Sequence, residues 1–203
     1  MMAMLGGNSE QMINDPKDKR QRILDAASDL IIERGLQSTP MSLITKRAGV
    51  AVGSLYNYFT SKQDLVYSVF QRAMEDMAEA ILAEYSAEAS VQERFTSYWS
   101  AFLRYMLHNP NQTQLLLYLT TTPYIDEGFR EKASSALLHT HAAIIKAGRQ
   151  EQLIRDVSTI MINWHLYGSL LFLTNKMQSM QKLSDSQEAI DQVVQMWWDS
   201  IRR

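Results

Sequence analysis

The sequence contains no cysteine, four prolines and eight glycines among its 203 residues. Without cysteine, the chain can form neither disulfides nor thiolate metal sites, and this fits a reducing, cytoplasmic location. Because few residues interrupt regular structure, long helices are expected. No run of about 18 apolar residues occurs, so no membrane-spanning helix is predicted. Residues 1–16 lack the basic and apolar segments of a signal peptide and are interpreted as a flexible arm.

Catalytic and cofactor motifs are also missing. There is no glycine-rich phosphate loop, no Gly-x-Ser-x-Gly and no carboxylate pair in an apolar context. His139 and His141 lie two positions apart on an expected helix, so their side chains point about 200° apart and cannot share an ion. The sequence therefore predicts a protein that is not an enzyme and that needs neither metal nor cofactor.

Charge is unevenly distributed although the net charge is only −2. Residues 17–62 hold eight Lys and Arg against four acidic residues, whereas residues 63–203 hold 12 against 16. A basic segment attached to an acidic one orients a protein toward phosphate. Charge segregation alone is more often solvated surface, so this pattern needs a motif beside it.

Apolar residues recur at helical spacing along most of the chain, and an all-α fold of about nine helices follows. Capping and turn residues mark the breaks: Thr39 is expected to cap the second helix with Pro40 as its first residue, and Asp15 to cap the first. The expected helices cover about 17–34, 40–48, 52–59, 61–89, 91–108, 111–120, 126–152, 157–180 and 186–201.

The stretch 41–65, MSLITKRAGVAVGSLYNYFTSKQDL, predicts two short helices joined by a glycine turn and followed by a long helix. Gly49 ends the first short helix, because glycine adopts left-handed backbone angles without strain. Leu55 and Phe59, four residues apart, place the inner face of the second. Its other face is small, polar and aromatic, which suits base edges in a major groove. The arrangement is typical of a helix-turn-helix.

This stretch resembles the DNA-binding region of the tetracycline-repressor (TetR) family of bacterial regulators. The family pattern of Ile-Ala, Ala-Gly-Val, Gly-x-Leu-Tyr-x-x-Phe and Ser-Lys-x-x-Leu corresponds to residues 44–45, 48–50, 53–59 and 61–65. The likeness covers residues 18–70 at motif level, and beyond them only the helical layout. It implies a helix-turn-helix domain at 17–65 and a larger ligand-binding and dimerisation domain at 66–203.

The candidate DNA contacts follow from side-chain chemistry and from the resemblance. Ser54 and Asn57 suit base edges, while Lys46 and Arg47 could clamp backbone, although Arg47 could equally be a solvated charge. The resemblance implies a phosphate contact for Lys62 and a phosphate or thymine contact for Tyr56. The full set is Ser42, Lys46, Arg47, Gly53, Ser54, Tyr56, Asn57, Tyr58 and Lys62, with Tyr58 also readable as packing.

Three positions depart from the family pattern. Pro40 stands where a Thr or Ser usually caps the helix and binds phosphate, and Ser42 could take over that contact. Thr45 replaces a small Ala, so its hydroxyl must find a carbonyl or face outward. Ala51 replaces a Ser at the start of the recognition helix, and losing such a cap costs about 1 kcal/mol.

The C-terminal part has two expected tasks, pairing and sensing. Residues 157–180 and 186–201 are apolar on most sides, which indicates burial in a large core or an interface. The resemblance implies that they form a four-helix bundle in a homodimer; burial within one subunit is the alternative. Aromatic residues with scattered polar groups indicate a ligand pocket. Its candidates are Phe95, Trp99, Phe102, Met106, Tyr118, His139, Trp164 and His165.

The sequence thus predicts a homodimeric transcriptional regulator, a repressor that binds a palindromic double-stranded operator and is released by a small-molecule effector. The alternative is a DNA-binding dimer without an inducer, regulated by a protein partner or by abundance. The two differ in whether the C-terminal domain encloses a ligand site.

Overall fold

The computed structural model of this chain describes residues 16–178 and 186–203. In these two stretches the regular structure is helical, with one isolated β-bridge between Ile154 and Arg202. The all-α prediction is confirmed. The predicted arm and the Asp15 cap lie outside the described residues. The helices are α1 Pro16–Arg34, α2 Met41–Ala48, α3 Val52–Tyr58, α4 Lys62–Leu82, α5 Val91–His108, α6 Pro110–Thr121, α7 Glu127–Gln150, α8 Thr159–Gln178 and α9 Gln187–Ile201.

One helix end was wrong by seven residues. α4 was expected to continue to Ala89 but ends at Leu82. Ser90 adopts extended backbone angles and its hydroxyl accepts the amide of Glu93 at 3.3 Å, while the Glu93 carboxylate accepts the Ser90 amide at 2.9 Å. This reciprocal capping box begins α5 at Val91. Because Ser90 is not helical, α4 cannot continue directly into α5.

The chain forms two compact units. The first contains the described residues up to Ala73 together with Gln114–Asp126. The second contains Met74–Thr113 and Glu127–Arg203, apart from the undescribed residues 179–185. α4 and α6 each run from one unit into the other.

The core of the first unit joins α1, α2, α3 and the first half of α4. As predicted, Leu55 and Phe59 of the α3 segment are buried, and so are the apolar residues of α4 up to Phe70. The predicted domain boundary at residues 65 and 66 falls inside this buried part of α4, where Leu65 and Val66 are both about 1% exposed.

The second unit is built around α5, which packs against α7, α8 and α9. Its C-terminus is fixed by main-chain bonds, since the amide of Arg155 donates to Ile201 at 2.9 Å and that of Arg203 donates to Leu153 at 2.8 Å. Among the described residues, no helix combines the length and apolarity that crossing a bilayer requires.

Candidate nucleic-acid interface

The α2–turn–α3 segment has helix-turn-helix geometry. Gly49 ends α2 with φ 65° and ψ 38°, a left-handed conformation that favours glycine, and its amide donates to the carbonyl of Thr45. The amide of Val50 donates to the same carbonyl at 3.1 Å. These bonds hold the turn that aims α3 away from α2.

The expected cap of α2 was wrong. Pro40 is the N-cap residue and provides no side-chain bond. Thr39 is completely buried, and its hydroxyl donates instead to the carbonyls of Gly35 at 2.8 Å and Leu30 at 3.2 Å. Gly35 has φ 77°, so its carbonyl belongs to the left-handed turn that ends α1. Thr39 therefore stabilises that turn rather than α2.

The other two departures have the expected local consequences. The Thr45 hydroxyl finds a carbonyl, that of Ser42 at 2.9 Å, and is buried. Ala51 precedes α3 as N-cap and makes no side-chain bond. Ser42 itself is exposed.

α3 presents one exposed face. Val52, Gly53, Tyr56 and Asn57 are exposed, whereas Leu55 on the opposite side is buried. At about 100° per residue, the four exposed positions fall within an arc of about 140°. Ser54 lies about 60° beyond the arc and Tyr58 nearly opposite its centre, and both are only partly exposed. Of the two residues that we selected as base readers, the structure places Asn57 on this face and Ser54 at its margin.

The cations predicted near this face differ in their availability. Lys46 is exposed and takes part in no ion pair among the described residues. Arg47 donates two hydrogen bonds to the Glu33 carboxylate, at 2.9 and 2.8 Å. This pair holds the pKa of Glu33 below its usual value and raises that of Arg47. Lys46 is thus the freer of the two side chains.

The Lys62 ammonium is already bound. It donates to the Leu36 carbonyl at 2.6 Å, and partial burial lowers its pKa. The Leu36 amide in turn donates to the Tyr118 hydroxyl at 3.0 Å. Both polar groups of Leu36 are therefore satisfied by side chains from distant parts of the sequence. Nothing in the sequence pattern of 61–65 indicates this bond.

Tyr118 therefore has a place in the first unit, at the turn after α1. Four of the other candidate ligand residues lie in the second unit and are buried: Phe95, Trp99, Phe102 and Met106. The structure does not bring Tyr118 into their cluster.

Three of these four residues, Phe95, Trp99 and Phe102, belong to an aromatic cluster that includes side chains missing from the predicted set. Trp99 lies 5.3 Å from the His141 ring, 5.0 Å from Tyr167 and 5.5 Å from Trp197, measured between ring centroids. Tyr98 stacks on His141 at 5.9 Å. The spacing of apolar residues along α5 predicted which of its side chains are buried. It could not show which residues of α7 and α8 contact them.

Polar groups inside this cluster are incompletely bonded. The Tyr98 hydroxyl contacts the Tyr167 hydroxyl and donates to Leu137, each at 3.2 Å. Burial raises the pKa of Tyr98 and lowers that of His141 to about 4. Trp99 Nε1 and His141 Nε2 have no hydrogen-bond partner among the described residues. Neutral His141 and the indole of Trp99 are thus two buried polar groups with unused capacity.

The remaining three candidates face solvent. His139 and Trp164 are exposed, Trp164 by 70%. The exposed His165 contacts the Ser200 hydroxyl at 2.9 Å through Nε2. The structure therefore separates them from the aromatic cluster, and His141 rather than His139 is the buried histidine of α7.

The last two helices are buried on one side and exposed on the other. Leu166 and Leu170 of α8 are completely buried, and Trp197 of α9 donates to the Ser169 hydroxyl at 2.9 Å. Exposed large apolar side chains cover the opposite side of these helices: Ile160, Met161, Trp164, Leu171, Phe172 and Met196. The structure therefore shows burial within the subunit for one set of these apolar residues and leaves another set exposed.

A surface cavity of about 210 Å³ lies in the second unit, lined by residues of α5 and of the segment around the end of α4. It is smaller than the roughly 300–1,000 Å³ of typical ligand pockets. Nowhere in the described residues do three or more His, Asp or Glu side chains group as metal ligands would.

Comparison with protein families gives two matches that together span most of the chain. The family described as "Bacterial regulatory proteins, tetR family" matches residues 23–69. "Tetracyclin repressor-like, C-terminal domain" matches residues 70–203.

Individual proteins are also similar. The fatty acid metabolism regulator protein of Bacillus subtilis is 35% identical over 78 residues, which are 38% of this chain and 40% of that protein. The chain spans two-fifths or less of the length of the first curated relatives that it matches.

Two solved structures share the fold. A TetR-family transcription regulator of Shewanella sp. PV-4 has a TM-score of 0.82 and 22% identity, covering 91% of this chain and 98% of its own. The transcriptional regulator FadR of Bacillus subtilis, solved in complex with stearoyl-CoA, has a TM-score of 0.65 and 17% identity, covering 88% and 95%.

Proposed function

This chain belongs to the TetR family of bacterial regulatory proteins, and from that premise we propose that it is a homodimeric repressor released from its operator by a small molecule. The family consists of transcription regulators rather than enzymes. The observation that carries the proposal is the helix-turn-helix with an exposed, uncharged α3 face. The predicted division into a DNA-binding domain at 17–65 and a regulatory domain at 66–203 is part of the same proposal.

The proposed DNA contacts divide by role. Asn57 and Gly53 approach the bases, and Tyr56 contacts a phosphate or a thymine methyl group. Lys46 and Ser42 are exposed and positioned by α2 to bind backbone phosphates. Arg47 and Lys62 remain candidates although each is hydrogen-bonded within the protein, and Ser54 and Tyr58 remain candidates although each is only partly exposed.

The exposed apolar side of α8 and α9 supports the dimer. Met161, Trp164, Gly168 and Leu171 are exposed at spacings of three and four residues, so they form one stripe along α8. Contiguous exposed apolar surface of this kind indicates an interface. Two subunits paired there would present two α3 helices, which read successive major grooves of a palindrome when they lie about 34–36 Å apart.

The aromatic cluster of the second unit supports an effector site. It contains the predicted residues Phe95, Trp99 and Phe102, with Met106 buried on the same helix, and two polar atoms that have no hydrogen-bond partner among the described residues. Because neighbouring rings are 5.0–6.1 Å apart, an effector must separate them to enter. A mainly apolar molecule with one hydrogen-bonding group fits these surroundings.

Long-chain acyl-CoA is the first probe to use, and only its apolar acyl chain fits the aromatic cluster, since its CoA part carries charged phosphates. The relative with 35% identity is a fatty acid metabolism regulator, and one structure of the same fold was solved with stearoyl-CoA. The probe is added to the protein–operator complex and operator affinity is measured. If binding of the probe weakens DNA binding, DNA must weaken probe binding by the same factor. A saturating probe that leaves operator affinity unchanged would eliminate it as the effector.

The close packing of the rings in the aromatic cluster favours the second candidate function, a DNA-binding dimer without a small-molecule inducer. A panel of apolar, acyl and aromatic compounds that neither binds the dimer nor shifts operator affinity would support it.

DNA binding is tested by selecting sequences from random duplexes with the full-length protein and then comparing variants. Tyr56→Ala is expected to weaken operator binding without unfolding the protein. Unchanged operator affinity in that variant contradicts the assignment of the α3 face.

Lys62 needs a different readout because its loss could also disturb the turn at Leu36. A protein that loses one phosphate contact per subunit loses about 0.9 per contact from the slope of log K against log salt. Because Lys62→Met removes both the bond to Leu36 and the proposed phosphate contact, it is expected to reduce the free energy of unfolding and to lower this slope by about two in the dimer. An unchanged slope would show that Lys62 serves only the turn at Leu36.

A further inference from the structure

The exposed face of α3 carries no charged side chain. Its four residues are an aliphatic group, a glycine, a tyrosine and an amide: Val52, Gly53, Tyr56 and Asn57. In residues 41–58 the cations are Lys46 and Arg47, both on α2. The surface expected to meet the bases must therefore read them without a guanidinium of its own.

Three cations around this face have partners within the protein. Arg47 is held by two hydrogen bonds to Glu33, and Lys62 is bound to the Leu36 carbonyl. The Arg20 guanidinium lies 5.5 Å from the centre of the Phe59 ring. Arg or Lys bidentate to guanine is the commonest specific contact to a G·C pair in the major groove. Of the cations in this segment, Arg47 is engaged by Glu33, and the exposed Lys46 lies on α2 and is assigned above to backbone phosphate.

Val52 is the unusual member of the face. It is 50% exposed at the start of α3, although Leu55 and Phe59 of the same segment are completely or almost completely buried. An aliphatic side chain in the major groove has one apolar partner, the 5-methyl group of thymine. Asn57 is also exposed, and an Asn side chain can bond bidentately to N6 and N7 of adenine.

The glycine between them completes the arrangement. Apart from its chain neighbours and the backbone of its own helix, no atom of the described residues lies within 4 Å of the position that a Cβ on Gly53 would occupy, and Gly53 is not among the residues with positive φ. Neither packing nor backbone geometry in this chain requires glycine there. A missing side chain on the exposed face lets the helix backbone come closer to the base edges.

We propose that α3 reads A·T base pairs in each half-site, with Val52 packing on a thymine 5-methyl group and Asn57 bonding to an adenine. The inference rests on the proposed operator binding and deepens it by naming the base pairs. Along the helix axis the two residues are about 7.5 Å apart, close to two base-pair steps. Both can therefore contact one half-site.

The experiment uses the full-length protein and the operator obtained by selection from random duplexes. Each thymine of the half-site is replaced by deoxyuridine, which removes only the methyl group, and each adenine by 7-deazaadenine, which removes only the N7 acceptor. Wild-type protein is compared with Val52→Ala, Asn57→Ala and, as a control in another exposed apolar position, Leu138→Ala on α7.

The inference predicts that one thymine per half-site is sensitive, with deoxyuridine weakening wild-type binding by about fourfold per half-site. Val52→Ala should bind the methylated and unmethylated sites equally, and the Leu138→Ala control should behave as wild type. One 7-deazaadenine should weaken binding about fivefold or more, and Asn57→Ala should abolish that difference.

Other outcomes overturn the inference in distinguishable ways. A selected palindrome whose core is G·C, or one in which no thymine methyl effect depends on Val52, contradicts the base assignment and leaves operator binding intact. No enriched sequence at all contradicts the proposed function, and the inference with it.

Discussion

Within the helix-turn-helix, side chains divide between those bonded inside the protein and those left facing solvent. Thr39, Thr45, Arg47 and Lys62 all have protein partners, whereas Lys46 and Asn57 are exposed. The sequence motif predicted the turn and the buried pair Leu55 and Phe59, because spacing determines which residues share a helix face. It could not predict which cations are already paired, since those pairs join residues far apart in the sequence.

Gly53 offers a test that separates fold from function. Because α3 has ordinary helical angles there and space for a methyl group, Gly53→Ala should raise the free energy of unfolding by up to about 1 kcal/mol. The same methyl group would stand between the helix and the bases, so operator binding should weaken. Urea unfolding and fluorescence anisotropy with labelled operator measure the two effects.

Gly49→Ala is the matched contrast, because Gly49 has φ 65° and a side chain there is strained. It should lower the free energy of unfolding. A Gly53→Ala protein that is less stable than wild type, or that binds operator with unchanged affinity, contradicts the role assigned to this glycine.

The buried His141 should make the stability of the folded protein depend on pH. Burial lowers its pKa from 6.5 to about 4, so the folded protein keeps the ring neutral where the unfolded chain protonates it. Between about pH 6.5 and 4 the unfolded state binds more protons, and stability therefore falls as the pH falls. The expected loss reaches about 3 kcal/mol at the lower end of that window.

The measurement compares wild type with His141→Gln by urea unfolding at a series of pH values, because other groups also titrate in this range. The difference between the two proteins should change steeply from pH 6.5 to 4 and be constant above pH 7. Parallel pH profiles for the two proteins would show that His141 titrates normally.

At the scale of elements, most helices could be placed from periodicity and turn residues, and their ends lie within one or two residues of the expected positions. α4 is the exception, since its apolar stripe continues past Leu82 while the Ser90–Glu93 capping box ends the helical path. The signature Ser-x-x-Glu is present in the sequence and could have placed the break. The meeting of α5 with α7 and α8 is beyond local patterns, because periodicity gives a buried face and not its partner.

The packing of α7 against Ile154, in the segment that follows this helix, predicts the effect of a substitution on stability. A Cβ on Gly148 would lie 2.4 Å from Cδ1 and 2.7 Å from Cγ1 of Ile154, and 3.2 Å from Val91. Gly148→Ala should therefore lower the free energy of unfolding by about 1–3 kcal/mol through overpacking.

Ile154→Val removes the nearest clashing atom and is the rescuing change. The double variant Gly148→Ala, Ile154→Val should be more stable than the sum of the two single effects, as measured by thermal or urea unfolding. Additive effects would mean that the methyl group does not meet Ile154.

At the scale of the whole molecule, two features bear on the proposed function. One is that the chain passes between the two compact units three times, within α4, within α6 and at the start of α7. The other is the exposed apolar stripe on α8. The composition of this region predicted an interface or a core, and only the structure separates the exposed side chains from the buried ones.

The stripe also changes the role proposed for Trp164. The sequence grouped it with ligand-binding aromatics, but it is 70% exposed beside other exposed apolar residues. In the proposed dimer it is buried by the second subunit. The proposed binding to a palindrome depends on this surface as much as on α3.

The most direct test of the account is to measure the oligomeric state and operator affinity of the double variant Trp164→Glu, Phe172→Glu by sedimentation and anisotropy. Two carboxylates per subunit should disrupt the apolar interface and give a folded, helical monomer that has lost tight operator binding. Leu138→Glu, an exposed apolar position on α7, should remain dimeric and bind normally. A double variant that stays dimeric and binds operator with wild-type affinity would contradict the account.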